Sequence, residues 1–559
     1  MSGSHPLKIV IVGGNAGGMS AATRARRLSE ESQITVLEAG NFVSFANCGL
    51  PYALGGIITD DKALTIQTPQ SLKDRFNIDT YTNSEVVDID RANKLVKVKM
   101  EGRDELEEFG YDKLILAQGV ERFFPPIEGL HSDHVFALHT IPDLKKVREY
   151  IAVQKPRVKN MAILGGGFIG IEVADALSTP GIKIHVLEYT THIFPQLDSD
   201  IAHMVETELE RNGVEVINNA RIVKIDKSLM VLKHHHPVPA EVVLCAIGTR
   251  ARIALAEKAD LLIGKTGVTV NEFMQTSDPE IYAVGDMVET YHRIAEMPMS
   301  NPQAGPANRQ GRLAADHIFG KDVKYRGNVG TSICKVFDLT VGSIGFSVQA
   351  LKEMGRKVQW VIVHPPDHAS YYPGATPVTL KVAFDPDTGA LLGAQAVGKN
   401  GVDKRIDVLS TAMQGNMTIF DLEHLELAYA PPYGSAKDPV NMAGFVGANV
   451  MRGDVQIVHA EEVTEVDLDE KQVVDVRSPA EFARGHLKNA VNIPIENLRE
   501  RMESLDKAND VLVYCQVGYR GYLGYRILKQ AGFNVKNLDG GFKLVVDGGF
   551  ESLEEYAMT

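Results

Sequence analysis

Leu7-Lys8-Ile9-Val10-Ile11-Val12 is apolar at all but one position, the pattern of a strand buried on both faces of a parallel sheet. It runs straight into Gly13-Gly14-Asn15-Ala16-Gly17-Gly18, after which alanines and arginines from position 19 to about 28 predict a helix. A second strand, positions 33 to 38, ends on Glu38. The same order recurs downstream. Met161-Ala162-Ile163-Leu164 enters Gly165-Gly166-Gly167-Phe168-Ile169-Gly170, a helix is expected from Ile171, and the strand Lys183–Leu187 is followed by Glu188. From about Lys324 to Met451 the pattern changes to short strands, such as positions 331–337 and 378–384, with helices after Lys404 and Thr418. Beyond a linker at 452–461, positions 472–477 and 510–514 predict strands of a compact tail.

Each repeated series has a physical purpose. The glycines allow a tight turn and close approach of backbone amides to a pyrophosphate, the helix N-terminus favours its charge, and the acid at the second strand end suits a ribose diol. The first series departs from G-x-G-x-x-G, because Asn15 stands at the middle glycine. The second is complete, with Gly165, Gly167 and Gly170. Glu188 favours the free 2′-hydroxyl of NADH, and no arginine follows within several residues to hold a 2′-phosphate. Two such units in one chain predict a flavin and a nicotinamide.

Composition narrows the setting. At ~150 residues per domain, 559 residues predict three to four domains. A net charge of -14 argues against general nucleic-acid or anionic-membrane binding. No apolar run approaches the ~20 residues of a membrane helix, and the first six residues lack a secretory pattern. The four cysteines, Cys48, Cys245, Cys334 and Cys515, fit neither zinc spacing nor a disulfide framework, so no metal is expected and the compartment is read as reducing and cytoplasmic. His234-His235-His236 converge poorly on one ion and are read as an exposed turn. Cys245 and Cys334, within apolar strands, are read as inert.

Cys48 lies ten residues past Glu38, in Ser44-Phe45-Ala46-Asn47-Cys48-Gly49-Leu50-Pro51-Tyr52. A helix starting near Gly49 or Leu50 is expected to lower its pKa and favour thiolate. This segment resembles the active site of the coenzyme A disulfide reductases, in the single-cysteine branch of the pyridine nucleotide-disulfide oxidoreductases. Dithiol members carry a second cysteine five residues on, where this chain has Ala53. The thiol is therefore expected to cycle through a mixed disulfide, persulfide or sulfenic acid. The NADH oxidases and peroxidases of this branch carry a histidine in the first glycine turn, where this chain has Ala16, which favours thiol exchange over peroxide chemistry.

The resemblance implies further assignments. Gly13, Gly14, Ala16, Gly17, Gly18, Glu38, Ser44 and Asn47 would hold FAD, together with Gly285 and Asp286, where Asp286 ends a flavin-return motif and would bind the ribitol. Ser20, Arg24, Arg27, Ser44, Asn47, Asn308 and Lys437 would hold coenzyme A. Ser20, Arg24 and Arg27 share one helix face by spacing. Tyr372 and Tyr429 would stand beside the Cys48 of a second subunit in a homodimer, and His368 would approach the flavin. In the tail, Asp475-Val476-Arg477, Gly485-His486 and the loop from Cys515 to Arg520 resemble the rhodanese sulfurtransferases. Inward amides and Arg520 would stabilise a thiolate or persulfide on Cys515.

The expected fold is α/β. It comprises an FAD domain at 1–120, an NADH domain at 121–250, an FAD return at 251–323, an α+β dimerisation domain at 324–451, the linker at 452–461 and a rhodanese-like domain at 462–559. The expected activity is NADH-dependent, FAD-mediated reduction of coenzyme A persulfide, polysulfide or coenzyme A disulfide at Cys48, with sulfane sulfur handled by Cys515. The alternatives are an NADH oxidase or peroxidase cycling through a Cys48 sulfenate, and a non-catalytic redox-sensing flavoprotein.

Overall fold

The computed structural model describes residues 6–154, 157–178 and 181–555, so the first five residues of the N-terminal reading lie outside the described residues. The chain divides into two units, residues 1–187 with 220–328, and residues 188–219 with 329–559.

In the first unit, a parallel sheet takes the order Ile281–Ala283, Lys113–Leu116, Lys8–Val12, Gln33–Leu37, Asp79–Tyr81. Ile9, Val10, Ile11 and Val12 are all buried, as a strand covered on both faces requires. The helix Ala16–Leu28 begins three residues earlier than the composition suggested, because the glycine turn is itself the helix start. Ala21, Ala22 and Ala25 are fully buried on it, small enough for close packing. The helix Ala304–Ile318 lies so near that a Cβ on Gly311 would stand 2.0 Å from the Gly17 carbonyl oxygen. A second parallel arrangement runs Lys183–Leu187, Asn160–Leu164, Val242–Cys245, Val135–Phe136, and its helix, Phe168–Leu177, likewise starts three residues before Ile171. Val120–Arg122 pairs antiparallel with Thr249–Ala251, so the chain enters and leaves this insertion through one ribbon.

In the second unit, an antiparallel sheet has the order Ser332–Val336, Leu339–Gly345, Leu391–Gly398, Val378–Phe384, Gln359–Val363. Val378–Phe384 is buried at every position. Its alternate residues Val378, Leu380, Val382 and Phe384 join the apolar cluster formed with the helices Val402–Gln414 and Pro439–Met451. Lys381, on the opposite face, meets Asp200 of the helix Ser199–Arg211. The tail is a parallel sheet ordered Ile457–Val458, Val535–Leu538, Val511–Tyr514, Gln472–Asp475, Val491–Asn492. The stretch read as a linker therefore supplies an edge strand, with Ile457 opposite Asn537 and Val458 opposite Leu538. Alternation over two residues is too short to signal a strand.

Candidate functional site

The two glycine turns are built alike. Gly13 holds φ +108°, and a Cβ there would lie 2.3 Å from the Ala117 carbonyl oxygen. Gly165 holds φ +102°, with the same atom 2.6 Å from the Ala246 carbonyl oxygen. Gly18 and Gly170 each bring a helix to 2.0 Å, Cβ to oxygen, from the first glycine of their turn. Those four positions serve packing, whereas a Cβ on Gly167 would meet no chain atom within 4 Å, which leaves room for close approach of a pyrophosphate. Glu38 accepts from the Gly14 and Gly40 amides, both at 2.7 Å, and Glu188 accepts from the Thr190 amide and hydroxyl, both at 2.9 Å. Beside the first turn, Gln118 buries an Oε1 that has no hydrogen-bond partner among the described residues. Asn15 precedes the helix without capping it through its side chain. The first unit thus fits a bound dinucleotide at its turn, as does the open face of Gly167.

The flavin-return residues lie in the same unit. Gly285 donates its amide to Gln310 Oε1 at 2.7 Å, and burial pushes the Asp286 carboxyl up to about 6. Ser44 adopts φ +49°, a left-handed conformation costly for a residue with a Cβ, held by its amide on the Gly14 carbonyl at 2.7 Å and by the Ile66 amide on its own carbonyl at 2.8 Å.

Cys48 occupies the short turn Asn47–Gly49 before the helix Leu50–Leu54. Asn47 Oδ1 accepts its amide at 3.0 Å and its Sγ at 3.7 Å. That helix docks on Phe168–Leu177, where a Cβ on Gly55 would stand 2.3 Å from the Ala176 carbonyl oxygen. Cys48 therefore lies where the two dinucleotide units meet. The expected lowering of its pKa is corrected by the structure. The residue is exposed by area, but burial of the sulfur, then the carboxylates of Glu172 and Asp286, raise the thiol above its ordinary value, against a smaller lowering by its own amide. A five-residue helix carries too little dipole to outweigh burial and two carboxylates.

Glu172 and Tyr52 were not singled out by sequence. The Tyr52 hydroxyl donates to Glu172 Oε1 at 3.0 Å. Burial raises the Glu172 carboxyl, the bond from Tyr52 opposes this, and Asp175 adds to it. The signal was present in the chain, a carboxylate two residues past Gly170 on the same helix. Glu172→Gln removes one of the two carboxylates acting on the thiol. The pH midpoint for alkylation of Cys48 by iodoacetamide is expected to move down in this variant, and an unchanged or higher midpoint would show that Glu172 places no charge at the sulfur.

The proposed coenzyme A residues divide. Ser20 Oγ donates to the Asn308 carbonyl at 2.7 Å, bringing two of them together. Arg27 is exposed, as are Asn308 and Lys437. Arg24 also forms an ion pair, its Nη2 and Nε reaching Asp316 Oδ1 at 2.5 and 2.9 Å, so a phosphate there would share it with that carboxylate. A sequence shows the helix face but not a carboxylate 292 positions away.

In the second unit, the amide of Ala369 donates to the Gly434 carbonyl at 3.0 Å and joins the two tyrosine stretches. Tyr429, one of the two tyrosines expected beside a second subunit's Cys48, meets Tyr371, hydroxyl to hydroxyl at 2.8 Å. Tyr372 instead packs edge-on against His368, whose Nδ1 lies 3.0 Å from Asp367 Oδ1.

The tail site is ordered around Cys515, buried at the end of Val511–Tyr514. Its carbonyl accepts from the Phe542 amide at 2.8 Å, and Gln516 accepts from Lys543 at 2.9 Å. Gly541, at φ +64°, comes so close that a Cβ would lie 2.6 Å from the Cys515 oxygen. Gly518, at φ +94°, precedes the helix Tyr519–Gln530. Arg477 donates to Asp475, to Gln516 Oε1 at 2.9 Å and to the Gly485 carbonyl at 2.7 Å. Arg520, expected to serve the sulfur, gives both terminal nitrogens to Glu481 at 2.8 and 2.6 Å. The three histidines 234–236 are exposed, and among the described residues no His, Cys, Asp and Glu group could hold a metal. Among them too, no helix is long and apolar enough to cross a membrane.

Residues 7–307 match the pyridine nucleotide-disulphide oxidoreductase family, 331–438 its dimerisation domain and 460–547 the rhodanese-like domain. A coenzyme A disulfide reductase of Staphylococcus haemolyticus is 35% identical over 440 residues, covering 78% of this chain and 98% of that protein. The reduced Bacillus anthracis CoADR-RHD structure is 40% identical with a TM-score of 0.96, over 98% of this chain and 99% of that one. An NAD-dependent persulfide reductase from A. fulgidus is 38% identical with a TM-score of 0.91, over 96% and 100%.

Proposed function

The chain belongs to the pyridine nucleotide-disulphide oxidoreductases, and we propose that it uses NADH and FAD to reduce sulfur–sulfur bonds of coenzyme A persulfide, polysulfide and coenzyme A disulfide at Cys48. The observation that carries this reading is a single exposed thiol where two dinucleotide-binding units meet, with Ala53 in place of a second cysteine. When bound, FAD supplies the passage of an electron pair from NADH to sulfur. Gly13, Gly14, Gly17, Gly18, Glu38 and Asp286 would hold it; Gly165, Gly167, Gly170 and Glu188 would hold NADH.

Cys48 thiolate attacks the persulfide, breaking its S–S bond and forming either a mixed disulfide with release of hydrosulfide or a cysteine persulfide with release of coenzyme A. Two electrons then return Cys48 to the thiolate. The sum is one persulfide and one NADH giving coenzyme A, hydrosulfide and NAD+. Asn47 Oδ1 orients the cysteine, while the Glu172 carboxylate, held by Tyr52, acts on the sulfur through its charge. The match to a dimerisation domain, with Tyr371 73% and Tyr429 49% exposed, supports a homodimer whose partner subunit covers these tyrosines. The reducing chemistry and cysteine usage support a cytoplasmic setting.

The test is anaerobic NADH oxidation with each sulfur substrate. Coenzyme A persulfide is expected to give one hydrosulfide per NADH, with NADH preferred over NADPH by at least about tenfold. Oxygen or peroxide consumption at an equal rate without any sulfur substrate would sink the reading.

A further inference from the structure

Among the described residues, the three cations bonded to or within the loop carrying Cys515, Arg477, Arg520 and Lys543, are each paired with a carboxylate. Gln516, Val517, Gly518 and Tyr519 are uncharged. Arg520 is bound through two nitrogens to Glu481, and that carboxylate is fixed in turn by the Ser478 amide at 3.0 Å and hydroxyl at 2.8 Å. The Arg520 bond above all holds the Glu481 carboxyl down to about 2, so the pair stays ionised and neutral in sum. Arg477, 2% exposed, is matched by the fully buried Asp475. Lys543, whose amide bonds to the loop at Gln516, is matched by Asp547. What the loop offers solvent is apolar and aromatic, with Val517 38% and Tyr519 62% exposed.

We propose that the Cys515 site takes sulfane sulfur from persulfides with an uncharged stem and discriminates against thiosulfate and similar small dianions. Thiosulfate carries two negative charges toward a cysteine that must itself be anionic to react, and Arg477, Arg520 and Lys543 are each already paired with a carboxylate. A persulfide on an uncharged stem carries at most one negative charge, so it meets less repulsion, and its stem gains contact with Val517 and Tyr519. The Cys515 thiolate bonds to the outer sulfur of R–S–S–H and the S–S bond to R breaks. The thiolate R–S⁻ leaves and takes a proton from solvent, while the outer sulfur keeps its own, leaving Cys515–S–SH with no net oxidation.

This rests on Cys515 being the sulfur acceptor, which the same experiment checks. The full chain, without NADH, is mixed with thiosulfate or pantetheine persulfide, and the gain of one sulfur on the Cys515 peptide is followed by mass spectrometry. Pantetheine persulfide is expected to load Cys515 at least about tenfold faster. Glu481→Gln, which frees Arg520, and Val517→Arg, which adds a cation at an exposed position, are each expected to raise the thiosulfate-to-pantetheine-persulfide rate ratio by at least about tenfold. Equal loading in the wild type, or an unchanged ratio in both variants, overturns the discrimination. Loading of Cys515 by neither donor overturns the acceptor role itself.

Discussion

Cys48→Ser is expected to lower NADH-linked reduction of coenzyme A persulfide by at least about three orders of magnitude, because a hydroxyl near neutral pH offers almost no anion to attack sulfur. Position 53 is alanine, and the other thiol of the same unit, Cys245, ends a strand with burial raising its pKa. The loss should come without loss of flavin, since the atoms packed nearest Gly13, Gly14 and Gly18 belong to Ala117, Val43 and the turn itself. Flavin absorbance and anaerobic NADH oxidation, measured on one preparation, separate the two effects. A variant that keeps its flavin and more than a tenth of wild-type turnover would remove Cys48 from the mechanism.

Much of the scaffold behind that thiol is local in sequence, and so was readable. The run Ile9-Val10-Ile11-Val12 can only be a strand covered on both sides, and Gly13 and Gly18 are forced by a positive φ and a 2.0 Å approach. Charge compensation was not readable, because its partners are distant. Tyr52 finds Glu172 120 positions away, and Arg520 finds Glu481 39 away. The direction of the Cys48 shift followed the same rule. The helix start beside it is visible in sequence, whereas the burial of the sulfur and the carboxylates of Glu172 and Asp286 that outweigh it come from the folded chain. The tyrosine pair shows a finer limit. Adjacent Tyr371 and Tyr372 look equivalent in the chain, and only the turn geometry decides which one meets Tyr429.

The largest stability effect is expected at Lys381, 1% exposed in the second unit. Its ammonium lies 3.0 Å from Asp198 Oδ2 and from both Asp200 oxygens. The two carboxylates are unequally supported. Asp198, although burial opposes it, is held below its ordinary value by Lys381 and by the amides of Gln349 and Val348, and it also accepts from Gln395 Nε2 at 2.7 Å. Asp200 has the Ile201 amide beside it, and burial lifts its carboxyl. Lys381→Met leaves that carboxylate buried without a cation and should cost about 3–5 kcal/mol. Asp200→Asn in the same chain should restore part of this, since it removes the orphaned charge. The sign with pH follows. In Lys381→Met the folded Asp200 pKa, already raised by burial, loses the lowering by Lys381 and rises further above its unfolded value, so the protonated form limits the damage at low pH. That relief is lost as pH rises through the folded pKa, and the gap to wild type widens. The chain's single tryptophan, Trp360, lies 5.9 Å from the Lys381 ammonium and stacks on His459, so denaturant unfolding followed by its fluorescence reports this region directly. An unmoved midpoint in Lys381→Met, or a double variant no more stable than the single, would mean that the network contributes nothing to holding the unit together.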